Sequence, residues 1–282
     1  MSLNLDEKLG VCSWSLQAEN AADLAQRVSA CELPFVQLAL NPLARQPEQW
    51  ADVNKHLAAA GVSIRSGMFG CVGEDYSSLE SIRKTGGLVP EQTWPENQKI
   101  IENAIRTAES LGLRLVSTHA GFIPDADDKQ AFERLVERIR WVTDRFKSVG
   151  LTLLLETGQE TASVLETFLR KVDAPNLGVN FDPANMILYD KGDPITALQR
   201  LLPYVGQVHI KDAVRTTSPG TWGQEVAVGE GDVDWPAFLR VLDESSFTGD
   251  LVIERERGQP HTRMNDIRTA RQLLQDWMAQ AT

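Results

Sequence analysis

Short apolar runs recur along the chain, separated by stretches in which apolar residues return every three or four positions. Runs at Leu9–Ser13, Phe35–Leu40, Gly61–Gly67, Leu115–His119, Leu151–Glu156, Leu177–Asp182, Val205–His209 and Asp250–Glu254 read as buried strands bounded by turn or helix signals. The spacing between them predicts helices over Ala21–Cys31, Pro47–Ala60, Trp94–Leu111, Asp127–Val149, Thr161–Val172, Pro194–Leu202, Trp235–Glu244 and Met264–Ala279. Gly112 stops the third intervening helix. Strands that alternate with helices are parallel and covered on their outer face. Eight such units predict a single-domain (β/α)8 TIM barrel over residues 1–282. An open doubly wound sheet would carry a glycine-rich phosphate turn after its first strand, and Cys12-Ser-Trp-Ser-Leu16 is no such turn. The stretch Gly70–Pro95, richer in Gly, Ser and charge, reads as a βα insertion over the barrel mouth.

Bulk numbers narrow the function classes. A hydrophobic content of 42% supplies a large core, and 24% charged residues is ordinary for a soluble protein. The net charge of −11 repels phosphate backbones and argues against nucleic acid as a partner. The N-terminal residues through Lys8 lack an apolar signal core, and no run reaches the length of a membrane span. Cys12, Cys31 and Cys71 are odd in number and lack CxxC spacing, so they read as reduced thiols of a cytoplasmic protein.

Four successive strands end on residues that bind metals: Glu156, Asp182, His209 and Glu254. In a β/α barrel the C-terminal strand ends converge on one rim, where the chemistry of such barrels sits. Each residue also has a plainer structural use. Asp182 precedes Pro183, the pattern of a helix N-cap; Glu156 could cap the turn at Thr157-Gly158; His209 could be a core histidine; Glu254 could join a solvated ion-pair cluster in Glu-Arg-Glu-Arg. Together, three carboxylates and one imidazole make a mostly oxygen site for one divalent ion. Mn²⁺ suits it first, with Mg²⁺, Co²⁺ or Zn²⁺ as alternatives, and Cu⁺ or an iron–sulfur cluster does not. Without a cation, clustered carboxylates repel and some take up protons.

At these residues the chain resembles the xylose-isomerase-like TIM barrels, in particular their sugar phosphate isomerase/epimerase branch. The resemblance covers essentially the whole chain. It is carried by Leu155-Glu156, Asn180-Phe-Asp182-Pro-Ala-Asn185, Val208-His-Ile-Lys-Asp212, Gly229-Glu-Gly-Asp-Val-Asp-Trp235 and Ile253-Glu254. It implies that Glu156, Asp182, His209 and Glu254 hold one divalent ion, that Glu156 and Glu254 also move the proton, and that Arg215, six residues after His209, contacts substrate. The ketose 3-epimerases of this group carry a substrate-contacting histidine three residues after the aspartate, where this chain has Asn185. Endonuclease IV shares the fold, but its three-zinc site needs more histidines than the four present.

The expected activity is a metal-dependent isomerase or epimerase of a small sugar or keto-sugar, acting by proton transfer through an enediolate. The alternatives are an inosose-type dehydratase on the same site and a non-catalytic sugar-binding barrel. His119, at the end of the fourth strand, and Asn185, Lys211 and Arg215 are candidate substrate-binding residues. Trp14, Phe69 and Trp222 are candidate apolar walls over the sugar's C–H faces. No phosphate-binding glycine loop is evident, which favours an unphosphorylated substrate. The expected partner is a small-molecule sugar, without nucleic acid or membrane, and a homo-oligomer stays open.

Overall fold

The computed structural model describes residues 3–124, 127–218 and 220–281. Eight parallel strands close a barrel, with ten strands in all: β1 (Leu9–Cys12), β2 (Phe35–Ala39), β3 (Ser63–Met68), β4 (Leu115–Thr118), β5 (Thr152–Glu156), β6 (Leu177–Phe181), β7 (Val205–Ile210), β8 (Asp212–Val214), β9 (Gln224–Val226) and β10 (Asp250–Ile253). The barrel runs β1-β10-β7-β6-β5-β4-β3-β2, and β8 and β9 form a separate antiparallel pair. Each expected strand is present within a residue or two. Several intervening helices start where an oxygen-bearing side chain accepts from the first turn, as at Asn20, Asp128, Thr161, Asp193 and Asp234.

Three local expectations change. The helix expected over Pro47–Ala60 is confined to Val53–Ala59, and a separate short helix, Asn41–Arg45, follows β2 directly. Asp52, with φ 54°, sits in the left-handed region between them and breaks the helical path. A helix over Pro183–Leu188 follows β6 at once, capped by Asp182. The β8–β9 hairpin is too short, at three residues per strand, to leave an alternating signature.

The insertion between β3 and the helix Trp94–Ser110 carries its own helix, Leu79–Thr85. Its end is clamped from below. Buried Arg138 donates from Nη1 to the carbonyls of Leu88 and Val89, each at 2.7 Å, and from Nη2 to Glu91. Asn97 accepts from the Val72 amide at 2.8 Å. The insertion is therefore tied to the outer helices, and Tyr76 from it reaches the barrel mouth.

Inside the barrel, side chains are not uniformly apolar. Gln37, Ser66, Ser117, Asn180 and Gln207 are buried on the strands. Buried polar groups of this kind need partners, and most find each other. This polar layer lies beneath the C-terminal rim and supports what stands on it. Among the described residues, no helix is long and apolar enough to cross a membrane.

Candidate metal centre

Strand register brings the four candidate ligands together. Glu156 is the last residue of β5, Asp182 follows β6, His209 lies near the end of β7, and Glu254 follows β10. Glu156 pairs with Asn180 across β5–β6, and His209 pairs with Val252 across β7–β10. One ligand atom from each of the four lies within 4.8 Å of the others, and all four residues are buried. His209 Nδ1 is 3.3 Å from Glu254 Oε2, 3.6 Å from Glu156 Oε2 and 3.9 Å from Asp182 Oδ2.

The donor balance of this cluster tests whether a cation fits it. Asp182 Oδ2 and His209 Nδ1 are fully buried and have no hydrogen-bond partner among the described residues. An unpartnered buried polar atom costs about 1–3 kcal/mol, more when charged. Here two such atoms face the same point, together with oxygens of Glu156 and Glu254. A single divalent ion at that point would satisfy all of them. Ligand bonds of about 2.0–2.6 Å match atoms spread over this distance. Cys12, His209 and Glu254 form a second grouping. Burial pushes the Cys12 thiol up to about 12, so it stays protonated and is a poor ligand.

Each candidate ligand is held by its neighbours in a distinct way. Asp182 uses Oδ1 to accept from the Asn185 amide at 2.9 Å, which leaves Oδ2 directed at the cluster. One carboxylate thus caps the helix with one oxygen and faces the cluster with the other. His209 Nε2 meets Gln37 Oε1 at 2.7 Å. Glu156 Oε1 accepts from Asn185 Nδ2 at 2.8 Å, and Oε2 accepts from Asn180 Nδ2 at 3.2 Å. Gly158 makes the Asn185 contact feasible: at φ 139°, an added Cβ would fall 2.4 Å from Asn185 Cβ. Glu254 Oε1 accepts from the Trp14 indole at 2.6 Å, and Oε2 accepts from Lys211 Nζ at 3.0 Å.

Electrostatics follow from this packing. Burial and the neighbouring Glu254 and Glu156 carboxylates push Asp182 well above the usual carboxylate range, against Lys211. Burial also acts to raise Glu254, but Lys211 and His209 outweigh it and hold Glu254 well below its ordinary value. For Glu156, His119 and His209 outweigh burial and lower it. Burial acts to lower His209, yet Cys12, Glu156 and Glu254 together drive it up. With protein groups alone the cluster takes up protons where a cation would otherwise balance the charge.

Above the cluster lies a cavity of about 380 Å³. Of the residues expected there, Trp14, His119, Glu156, Asn185, Lys211, Trp222 and Glu254 line it. Phe69 does not. It is 1% exposed within the hydrophobic core, because the chain at the end of β3 turns its ring inward. Arg215 does not line it either; its guanidinium binds Asp190 at 2.8 Å and approaches the Gly192 carbonyl. Tyr76, Tyr189 and Glu256 are cavity residues that sequence reasoning missed. Tyr76 sits in an insertion with no periodicity. Glu256 looked like surface charge, although two residues after Glu254 is a position that a rim loop can return to the mouth.

The motif after β7 is structural. Asp212 accepts from the amides of Gly229 at 2.9 Å, Gly231 at 3.2 Å and Val233 at 3.3 Å, and from the Trp235 indole at 2.9 Å. A Cβ on Gly231 would lie 2.0 Å from Asp212 Oδ1. The glycines of Gly229-Glu-Gly-Asp-Val-Asp-Trp235 thus let the loop wrap one carboxylate.

Comparison with known proteins agrees with the barrel. A family model described as xylose isomerase-like TIM barrel matches residues 18–280. The structure superposes on a xylose isomerase domain protein from Planctomyces limnophilus with a TM-score of 0.84, at 34% identity over 89% of this chain and 91% of that one. Inosose dehydratase of Lacticaseibacillus casei is 22% identical over 152 residues, 46% of this chain and 51% of that protein. The putative L-ribulose-5-phosphate 3-epimerase SgbU of Escherichia coli (strain K12) is 25% identical over 194 residues, 65% of this chain and 66% of that protein. The stretches shared with curated relatives span from 44% to 66% of those relatives' lengths. A closed barrel with a carboxylate-rich rim, matched by the family model over nearly its full length, places the chain in the xylose isomerase-like TIM barrel family.

Proposed function

We propose that the protein is a divalent-cation-dependent isomerase or epimerase of a small, unphosphorylated sugar or keto-sugar. The observation that carries this reading is the pair of unpartnered buried atoms, Asp182 Oδ2 and His209 Nδ1, facing two glutamate oxygens beneath a ligand-sized cavity. Glu156, Asp182, His209 and Glu254 would hold the cation, Mn²⁺ first among the candidates. When bound, such an ion draws electron density from a carbonyl and neighbouring hydroxyl and makes the adjacent C–H more acidic.

The protein's own groups do the rest. Glu156 lines the cavity, its Oε1 3.7 Å from His119 Nε2, and would be the base that takes a proton from carbon. Glu254 stands on the other side of the cluster and would return a proton from the opposite face, which gives epimerisation. Return to the neighbouring carbon gives aldose–ketose isomerisation. Trp14, Tyr189 and Trp222 offer aromatic faces to the sugar's C–H groups. The charges near the mouth suit a neutral substrate: Arg215 is engaged by Asp190, Lys211 by Glu254 and Glu256, and Glu256 itself lines the wall.

A second reading, a dehydratase, has one observation in its favour. His119 Nε2 stands 3.7 Å from Glu156 Oε1, and both residues line the cavity, so a carboxylate and an imidazole lie side by side on one wall. That arrangement suits proton removal and hydroxyl loss directed from one side. Solvent deuterium incorporation across a panel of ketoses, aldoses and inososes separates the two. Exchange next to the carbonyl without loss of water supports the first reading, and water loss supports the second. Glu156→Gln abolishes exchange in both. Glu254→Gln abolishes it in the first, and retained exchange in that variant removes Glu254 from the proton transfer. Wild-type protein that binds the ions and processes none of the panel leaves a sugar-binding barrel.

A further inference from the structure

We infer that Gln37 is the positioning residue that sets the tautomer of His209 and so turns its Nδ1 lone pair toward the cation. The inference rests on reading the four-residue cluster as a cation site. Gln37 lies mid-strand in β2, on the opposite side of the barrel from β6, and is fully buried. A glutamine inside a barrel strand costs desolvation unless both ends of its amide are used. Here both are used. Nε2 donates to Ser117 Oγ at 2.8 Å and lies 3.5 Å from the Gly67 carbonyl, which can only accept. That fixes nitrogen toward β3 and β4 and oxygen toward His209.

The consequence at the imidazole is direct. Gln37 Oε1 stands 2.7 Å from His209 Nε2 and has no proton to offer, so Nε2 carries the hydrogen. Asn180 Nδ2 also lies 3.0 Å from Nε2 and Cys12 Sγ 3.6 Å from it, but the Asn180 amide donates to Glu156 Oε2 and receives Gln207 Nε2 on its oxygen at 3.3 Å, the thiol donates to Gln37 Oε1 at 3.6 Å, and the Gln37 contact is the shortest of the three at Nε2. With the proton on Nε2, Nδ1 presents a lone pair to the point faced by the three carboxylates. The opposite tautomer would aim an N–H there and could not ligate an ion. Ser117, Gln37 and His209 therefore form a chain across the barrel whose polarity is set at its far end by the Gly67 carbonyl. Partners of this kind around a metal-binding histidine are worth about 10–100-fold in metal affinity.

The test uses the full chain and three variants. Gln37→Met keeps volume and removes the acceptor; Gln37→Glu keeps an acceptor at the same place; Ser117→Ala removes the far anchor. Mn²⁺ affinity is measured by competition with a chelator. Histidine-labelled protein gives the protonation of each ring nitrogen by two-bond ¹H–¹⁵N correlation, with and without Mg²⁺, and only four histidines need assignment. Expected are a His209 proton on Nε2 in the wild type, Mn²⁺ binding weakened about 10–100-fold in Gln37→Met, a smaller loss in Ser117→Ala, and recovery of wild-type affinity in Gln37→Glu. If Gln37→Met fails to fold, Ser117→Ala and Gln37→Glu carry the comparison. Wild-type affinity in Gln37→Met, or a His209 proton on Nδ1 in the Mg²⁺-loaded wild type, overturns the inference while the cation site stands. Absence of any ion binding to the wild type overturns the site, and the inference with it.

Discussion

Lys211 is the counter-charge that the carboxylate cluster needs in the absence of an ion, and Lys211→Met measures that role. Its Nζ lies 3.0 Å from Glu254 Oε2, 2.7 Å from Glu256 Oε2 and 3.9 Å from Asp182 Oδ2, and its side chain is only 4% exposed. Burial acts to lower the ammonium, but Glu254, Glu256 and Asp182 outweigh it and raise it well above its ordinary value, so it is charged. Glu256 is half exposed, and solvent weakens that pair. The pair with Glu254 is buried on both sides. Removing one partner of a buried pair costs about 3–5 kcal/mol, because the remaining charge is left uncompensated. Unfolding entropy of about 2.1 cal/mol/K per residue over 282 residues is about 0.6 kcal/mol/K. The melting temperature of Lys211→Met should therefore fall by about 5–8 °C without added ion. A divalent ion supplies the missing charge and no longer meets a neighbouring ammonium, so the variant should gain more from Mn²⁺ than the wild type does. A tenfold tighter Kd adds about 1.4 kcal/mol, or roughly 2 °C of extra rise. Thermal melts by circular dichroism with and without saturating Mn²⁺ read both quantities. A variant that melts with the wild type in chelator, or that gains less from Mn²⁺, refutes the assignment of Lys211 as cluster counter-charge.

Three further outcomes follow from named contacts. Burial raises Glu160 from 4.5 to about 8, against Lys191. The folded state thus binds a proton that the unfolded state has released, and stability contributed by this group is present below about 4.5 and lost as pH rises to about 8, by up to about 5 kcal/mol. Glu160→Gln should flatten that decline, seen in denaturant midpoints between pH 5 and pH 8; an unchanged slope contradicts it. Asp212→Ala leaves the amides of Ala213, Gly229, Gly231 and Val233 and the Trp235 indole without their acceptor and should cost about 3–5 kcal/mol by chemical denaturation, whereas a loss under about 1 kcal/mol would mean that water replaces the carboxylate. Trp14→Phe removes the 2.6 Å donor to Glu254 while keeping a ring, and should weaken Mn²⁺ binding about tenfold; undiminished affinity would show that Lys211 alone orients Glu254.

The barrel was legible because each strand is a compact apolar run and each helix a periodic one, and the closed order of the eight strands follows from their parallel alternation. The four cluster residues were legible for a related reason. Each stands at or just beyond the end of such a run, and the geometry of a barrel gathers strand ends. What escaped depends on direction rather than position. Phe69 and Met68 are adjacent in sequence, yet Met68 faces the cavity and Phe69 the core. Arg215 lies at the expected spacing, but Asp190 from the preceding βα loop captures it. Gln37 carries no local signal beyond one polar residue in an apolar strand, and its role appears only when the closed barrel brings it within 2.7 Å of His209 on β7. The Asp182-Pro183 pair shows that two readings of one residue need not compete: one oxygen caps a helix and the other faces the cluster.

The central claim, that four side chains distant in sequence share one divalent ion, is tested most directly by Mn²⁺ titration followed by electron paramagnetic resonance. The wild type and Glu156→Gln, Asp182→Asn, His209→Gln and Glu254→Gln would each be titrated after chelator treatment. The account predicts one tight ion per wild-type chain and a loss of that ion in every variant that still melts cooperatively. Wild-type protein that leaves all Mn²⁺ free in solution, or variants that bind it as the wild type does, would contradict it.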